Sequence, residues 1–190
     1  MQLKGGFMTK ILGKNLSKQH LIMALFCIIY LVGIIGFFTP FLRVIWLPMS
    51  GLILYLTTFG VIASSKQKGK LALFLFLAFC IGFTSEVIGV QTGILFGDYS
   101  YGLNLGYKFS GVPIVIGLLW GVLAVSSASC VAQFPSLKKQ APFVAALLML
   151  GIDYIMEPVA IASDFWSWNG EDVPLWNYIC WFGIAWILQI

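Results

Sequence analysis

Asp153 and Glu157 stand four residues apart inside the run APFVAALLMLGIDYIMEPVAIA, where almost every other side chain is apolar. One helical turn separates them, so they share a helix face. A third acid, Glu86, interrupts another apolar run. An ionisable side chain in hydrocarbon surroundings is costly and marks a functional site by default. Burial and a neighbouring like charge both favour a neutral carboxylic acid over its anion. A neutral buried acid is a proton donor suited to an apolar substrate, and it needs neither metal nor nucleotide.

The elements that must position these acids follow from composition. The chain of 190 residues is 60% hydrophobic and only 9% charged. A soluble domain of that size has no means of hiding so much apolar surface, so the class is an all-α polytopic membrane protein. About twenty apolar residues make one crossing. Six candidate spans fit, at residues 21–38, 44–63, 71–89, 113–133, 141–162 and 176–190, within a single transmembrane domain covering 1–190. The last is short for a full crossing; it is either tilted, or the natural chain continues further. The first has a basic flank like a signal peptide but no small-residue cleavage site, and it reads as a retained anchor.

The basic residues orient this bundle. Lys4, Lys10, Lys14 and Lys18 precede the first span; Lys66, Lys68 and Lys70 join the second to the third; Lys138 and Lys139 join the fourth to the fifth. Only Arg43 and Lys108 fall in the alternate loops. The bias predicts a cytoplasmic N-terminus, with residues 1–20 as a basic cytoplasmic segment. The net charge of +4 is therefore a sign of membrane orientation and not of nucleic-acid binding. All seven carboxylates (Glu86, Asp98, Asp153, Glu157, Asp164, Glu171 and Asp172) then belong to the middle or outer half of the membrane or lie beside it. Counted from residue 141, Asp153 is about 18 Å and Glu157 about 24 Å deep.

Two irregular stretches face the same outer side. Residues 91–111 carry glycines at 93, 97, 102, 106 and 111, and Tyr99 and Tyr101 alternate with small polar residues as in a short strand or turn. This Gly/Tyr-rich segment lies at the outer interface or re-enters the protein, where irregular backbone is tolerated only against protein or a wet cavity. Residues 163–173 place Trp166 and Trp168 two apart, as an interfacial belt or as the wall of a pocket above Asp153 and Glu157. Pro48, Gly51 and Pro158 are expected to kink their helices. Arg43 either holds a carboxylate ionised or snorkels to the headgroups. Ser126, Ser127 and Ser129 read as a small-residue packing face. Cys27, Cys80, Cys130 and Cys180 read as buried free thiols. With His20 as the single histidine, no histidine metal centre or Ser-His-Asp triad is expected, and no metal or cofactor.

The string EVIGVQTGILFGDYSYGLNLG at residues 86–106, followed by GVP at 111–113 and Trp120, resembles the membrane carotenoid-biosynthesis family. That family includes the carotenoid 1,2-hydratases of bacteria and the bisanhydrobacterioruberin hydratase of haloarchaea. A second block agrees: Asp153, Glu157-Pro158, the WSW of 166–168, Val173-Pro174, Asn177 and Trp181. Such proteins more often carry aspartate before this proline, and relatives tend to run past residue 190. The resemblance implies an integral protein of a bacterial or archaeal cell membrane that hydrates the terminal C1=C2 bond of an acyclic carotenoid end group. The substrate would be lycopene-like or γ-carotene-like and would enter sideways from the bilayer, with other enzymes of the pathway as neighbours. The acid–base set would be Glu86, Asp153, Glu157 and Asp98. Tyr99, Tyr101, Trp120, Tyr154, Trp166, Trp168 and Asn177 would surround the substrate. Three other readings stand beside it: a different terpenoid-modifying membrane enzyme, a small proton-coupled carrier or channel, and a non-catalytic carotenoid-binding or scaffold protein of the pathway. The absence of a visible internal repeat weighs against the carrier.

Overall fold

A computed structural model describes residues 18–170 and 172–190. Lys4, Lys10, Lys14 and Glu171, on which part of the charge reading rests, lie outside the described residues. Six helices follow one another: α1 Lys18–Phe38, α2 Pro40–Ser64, α3 Lys68–Thr92, α4 Ile114–Val131, α5 Ala141–Ala162 and α6 Leu175–Gln189. A 3₁₀ turn, Pro135–Gln140, leads into α5. Four short strands, β1 Tyr99–Tyr101, β2 Lys108–Phe109, β3 Val112–Pro113 and β4 Trp166–Trp168, occupy the two irregular stretches. The first five helices are long and apolar enough to cross a membrane. With 15 residues, α6 spans about 22 Å. The protein is an all-α polytopic membrane protein with a small β cap.

The helix ends are set by local chemistry. Thr39 alone separates α1 from α2, and Pro40 opens α2 where its missing N–H is no loss. Gly93 closes α3 in a left-handed conformation (φ 67°), donating its N–H to Gly89 O at 2.8 Å. Pro113 and Pro174, both extended, hand the chain into α4 and α6. Pro48 and Pro158 sit inside α2 and α5, which remain helical through them.

The core lies among α3, α4, α5 and α6, around the fully buried Trp120, Ala124, Ala146, Met149 and Ala185. Close approach of α3 and α4 depends on small residues opposite large ones, the usual device where no water is available to drive helices together. A Cβ on Gly82 would stand 2.3 Å from the Trp120 ring; one on Gly117 would meet the Phe79 ring at 2.5 Å. On the same face of α3, Gly82, Glu86 and Gly89 follow at i, i+4 and i+7, and all three are buried. The glycines make the space and the glutamate uses it.

The β cap covers the end of the bundle opposite the Lys66–Lys70 and Lys138–Lys139 connections. β1 pairs antiparallel with β4 in the register Tyr99↔Trp168, Ser100↔Ser167, Tyr101↔Trp166. Alternation puts the four rings on the inner face and both serines outside, with Ser100 Oγ and Ser167 Oγ 3.4 Å apart. β2 and β3 form a hairpin through Ser110 (φ 50°) and Gly111 (φ 83°), two left-handed residues as a tight hairpin turn demands. Four expectations change. Arg43 pairs with no acid among the described residues: its Nη2 donates to Ala162 O at the end of α5, and its guanidinium lies 4.9 Å over the Phe37 ring. Of the cysteines only Cys180 is buried; Cys27 and Cys130 are exposed on helix faces that an apolar bilayer can cover without protein contacts. Ser127 is buried while Ser126 and Ser129 are exposed, so the serines do not form one packing face. The WSW segment, read as part of an irregular stretch, is a strand.

Gly82→Val drives a branched side chain into the Trp120 indole. The expected result is a loss of about 1–3 kcal/mol of stability, read as a lower unfolding midpoint in detergent, whereas Gly69→Val, where a Cβ meets nothing within 4 Å, leaves the midpoint unchanged.

Candidate functional site

Glu86 is 2% exposed, Asp153 1% and Glu157 4%, and all three line one cavity under the β cap. Its volume is about 20 Å³, room for a single water molecule. α3 supplies Glu86, α5 supplies Asp153 and Glu157 from successive turns, and α6 supplies Asn177 and Trp181, also one turn apart. The roof is Tyr99, Tyr101, Trp166 and Trp168 from the β1–β4 pair. Phe96, Ile116 and Leu119 complete the wall.

The three acids have unequal partners. Glu86 Oε2 accepts from Tyr99 Oη at 2.5 Å and Tyr101 Oη at 2.7 Å, and its Oε1 accepts from Trp120 Nε1 at 3.0 Å. Glu157 Oε2 accepts from Trp166 Nε1 at 2.9 Å and Trp168 Nε1 at 3.2 Å. Asp153 Oδ2 has a single long contact, 3.5 Å from Asn177 Nδ2. Burial, with the Glu86 carboxyl beside them, pushes the Tyr99 and Tyr101 hydroxyls up, so both stay protonated and donate. Lys108 Nζ donates to Tyr101 O at 2.5 Å, which holds β1 in place behind the tyrosine it positions.

The rings form a box around the acids. Tyr99 lies edge-on to Tyr101 at 5.6 Å and tilted against Trp168 at 5.1 Å; Tyr101 lies edge-on to Trp166 at 6.2 Å. Trp120 stacks on Trp181 at 3.8 Å and 19°, below Glu86. Ring faces near a cavity attract positive charge. Phe96 keeps its buried place only through a left-handed backbone (φ 69°), and Gly89 makes room for it: a Cβ there would stand 2.7 Å from the Phe96 ring and 2.9 Å from Tyr99 Oη.

The cavity does not contain every residue the sequence nominates. Asp98 is exposed on the outer surface, where its carbonyl accepts from Asn169 N. Tyr154 is 65% exposed and pairs with Tyr178 at 5.7 Å on the outside of the bundle. Trp120 stands behind Glu86 as a donor and not on the cavity wall. Sequence reasoning left out Trp181 and Phe96 as cavity residues. The spacing Asn177–Trp181, one turn on one face, was the signal for the first; the second was marked only as one of many aromatics on the outer side. Among the described residues no group of three His, Cys, Asp or Glu is arranged to hold a metal ion.

A second hollow adjoins the first. It is an almost wholly apolar cleft of about 530 Å³ bounded by α1, α2, α4 and α5, and Ile116, Leu119 and Trp166 line both.

Fold and site together define an α-helical membrane protein whose buried acids sit in an aromatic box that shares walls with an apolar cleft. The chain belongs to the carotenoid biosynthesis protein family, which matches residues 44–190, from α2 to the last residue of the chain. It is also 26% identical over 130 residues to the bisanhydrobacterioruberin hydratase of Haloarcula japonica, covering 64% of this chain and 44% of that protein. The chain thus spans less than half the length of that relative. No solved structure matches.

Because the folded protein keeps Tyr99 and Tyr101 neutral while an unfolded chain ionises tyrosine near pH 10, stability is full below about pH 10 and falls as pH rises beyond it. An alkaline titration followed by tyrosinate absorbance should show the same amplitude in the native protein and in a folded Tyr99→Phe/Tyr101→Phe variant. A smaller amplitude in the variant would mean that one of them does ionise in the fold.

Proposed function

We propose that the protein is a carotenoid-modifying enzyme that adds water across the terminal C1=C2 bond of an acyclic carotenoid end group. One observation carries the reading: three buried carboxyls, unequally supplied with hydrogen-bond donors, line a water-sized cavity that shares walls with a large apolar cleft. Membership of the carotenoid biosynthesis family supports the substrate class, and the hydratase name of the Haloarcula japonica relative supports the reaction.

In this reading Asp153 is the proton donor. With one long contact to Asn177 it has the least support for a negative charge and the freest proton. It gives H⁺ to C2; the π pair of C1=C2 forms the new C2–H bond, and C1 becomes a tertiary cation. Glu86, held by three donors, has no proton role and serves as the fixed acceptor that seats Tyr99, Tyr101 and Trp120. The faces of the roof rings and Trp181 share the positive charge. The cavity water attacks C1. Glu157, whose two indole bonds both fall on Oε2, takes the surplus proton from the water on its other oxygen. Asp153 and Glu157 are one turn apart, so the proton returns to Asp153 and the cycle closes with a tertiary alcohol as product. No electron is gained or lost.

Expressed in a host that accumulates an acyclic carotenoid, the chain should yield pigment heavier by one water, or two if both ends react, by mass spectrometry. Asp153→Asn should lower product about 100-fold or more at unchanged protein level, and Glu86→Gln should also lower it, through loss of one of the two acceptor oxygens that seat Tyr99, Tyr101 and Trp120. Unaltered pigment beside correctly inserted protein, or full activity in Asp153→Asn, would overturn the assignment.

A further inference from the structure

The water-sized cavity under the β cap is too small for a carotenoid end group. The polyene must lie elsewhere, and the adjoining cleft has the room. We propose that the apolar cleft between α1, α2, α4 and α5 holds the polyene chain of the substrate, that Gly33 keeps it open, and that Ile116 and Leu119 form the neck through which the end group meets Asp153. This rests on the carotenoid reading above and adds the binding site to it.

Continuity is the first support. Ile116, Leu119 and Trp166 face both hollows, so an occupant of the cleft ends against the wall of the acid cavity without crossing lipid or water. Chemistry is the second. Cleft side chains such as Ile34, Phe37, Leu54 and Met156 offer no charge, and of the polar residues there Tyr30 spends its hydroxyl on Thr57 Oγ1 at 2.7 Å. An uncharged, rigid hydrocarbon suits such walls; a polar solute does not.

Gly33 is the third. Glycine is unfavourable in mid-helix, and a reason is expected for it. Gly36, one turn on, has one: a Cβ there would stand 2.1 Å from the Trp46 ring. Gly33 has neither a left-handed backbone nor a crowding neighbour; a Cβ there meets nothing within 4 Å, and the space it would enter is the cleft itself. A further hollow of about 580 Å³ shares Phe37, Phe38, Leu47 and Val159 with the cleft and lengthens it toward Arg43. There the Arg43–Ala162 hydrogen bond ties the start of α2 to the end of α5 across the outer mouth. With that end strapped, the polyene enters sideways between the helices.

The test uses the full chain in nanodiscs, titrated with an acyclic polyene, with retained pigment measured by absorbance per protein and product by mass spectrometry. Gly33→Phe enters the cleft from α1, where a Cβ meets nothing within 4 Å, and Ile53→Trp fills it from α2. Both should cut retained polyene and product at least tenfold. Leu31→Phe, on the same helix but 60% exposed and outside the cleft, should behave like the unaltered protein. Asp153→Asn should keep the polyene and lose the product. Undiminished retention and turnover in both filled variants would overturn the cleft assignment while leaving hydration intact. Retention lost in those variants, with pigment mass unchanged in every case, would uphold the cleft and sink hydration. Failure of the unaltered protein to take up polyene, with lipid acyl chains found in its place, would also overturn the assignment.

Discussion

A carboxyl under lipid must find its hydrogen bonds inside the protein, since no water is at hand to supply them. Much of this chain answers that need for Glu86 and Glu157. The donors come from three places far apart in sequence: Tyr99 and Tyr101 on β1, Trp120 on α4, and Trp166 and Trp168 on β4. They converge because β1 and β4 pair in one register. A slip by one residue would turn every ring outward and bring the serines in. Gly82 and Gly89 clear the ground for Trp120, Phe96 and Tyr99, and Lys108 secures β1 from behind. Asp153 is left outside this provision. The contrast between two well-supplied acids and one poorly supplied acid is what the proposed direction of proton transfer rests on.

The division of space follows the division of polarity. The three carboxyls line the small cavity beneath the cap, and the large hollow beside it is apolar. On the proposed reading, an alkene at the junction would meet an acid, a water and ring faces at one point, while the rest of its chain would stay in hydrocarbon. Such a site would ask little of recognition beyond shape, because a polyene has no polar groups to read. Shape would then come from the width of the neck and the absence of a side chain at Gly33.

Much of this was legible in the sequence, and the limits have physical causes. Hydropathy located all six helices, with ends a few residues short where caps such as Gly93 and Pro40 decide the boundary. The pair Asp153 and Glu157 was visible because i, i+4 spacing fixes a shared face. Tyr154 was drawn in with the other aromatics, yet it faces outward, about 100° round the helix from Asp153. Asp98 was drawn in by the resemblance, but it is exposed, one residue before the buried Tyr99. Both tyrosine and tryptophan triplets carried the two-residue period of a strand. Their pairing across 67 residues did not show, because nothing local encodes a long-range partner. Whether Trp166 and Trp168 were a lipid belt or a pocket wall depended on that pairing. Gly33 was invisible as well: a glycine's purpose lies in the space around it.

The central claim is that the buried carboxyl set works as an acid–base device on an alkene, and a purified sample in heavy water tests it most directly. Protein in nanodiscs, given an acyclic carotenoid in D₂O, should form a hydroxylated product with one carbon-bound deuterium at C2 for each hydroxyl, found by mass spectrometry and NMR after exchange back into H₂O. A hydroxylated product with no deuterium on carbon would mean that no proton was delivered to the double bond, and the account of Asp153 and its cavity would be contradicted.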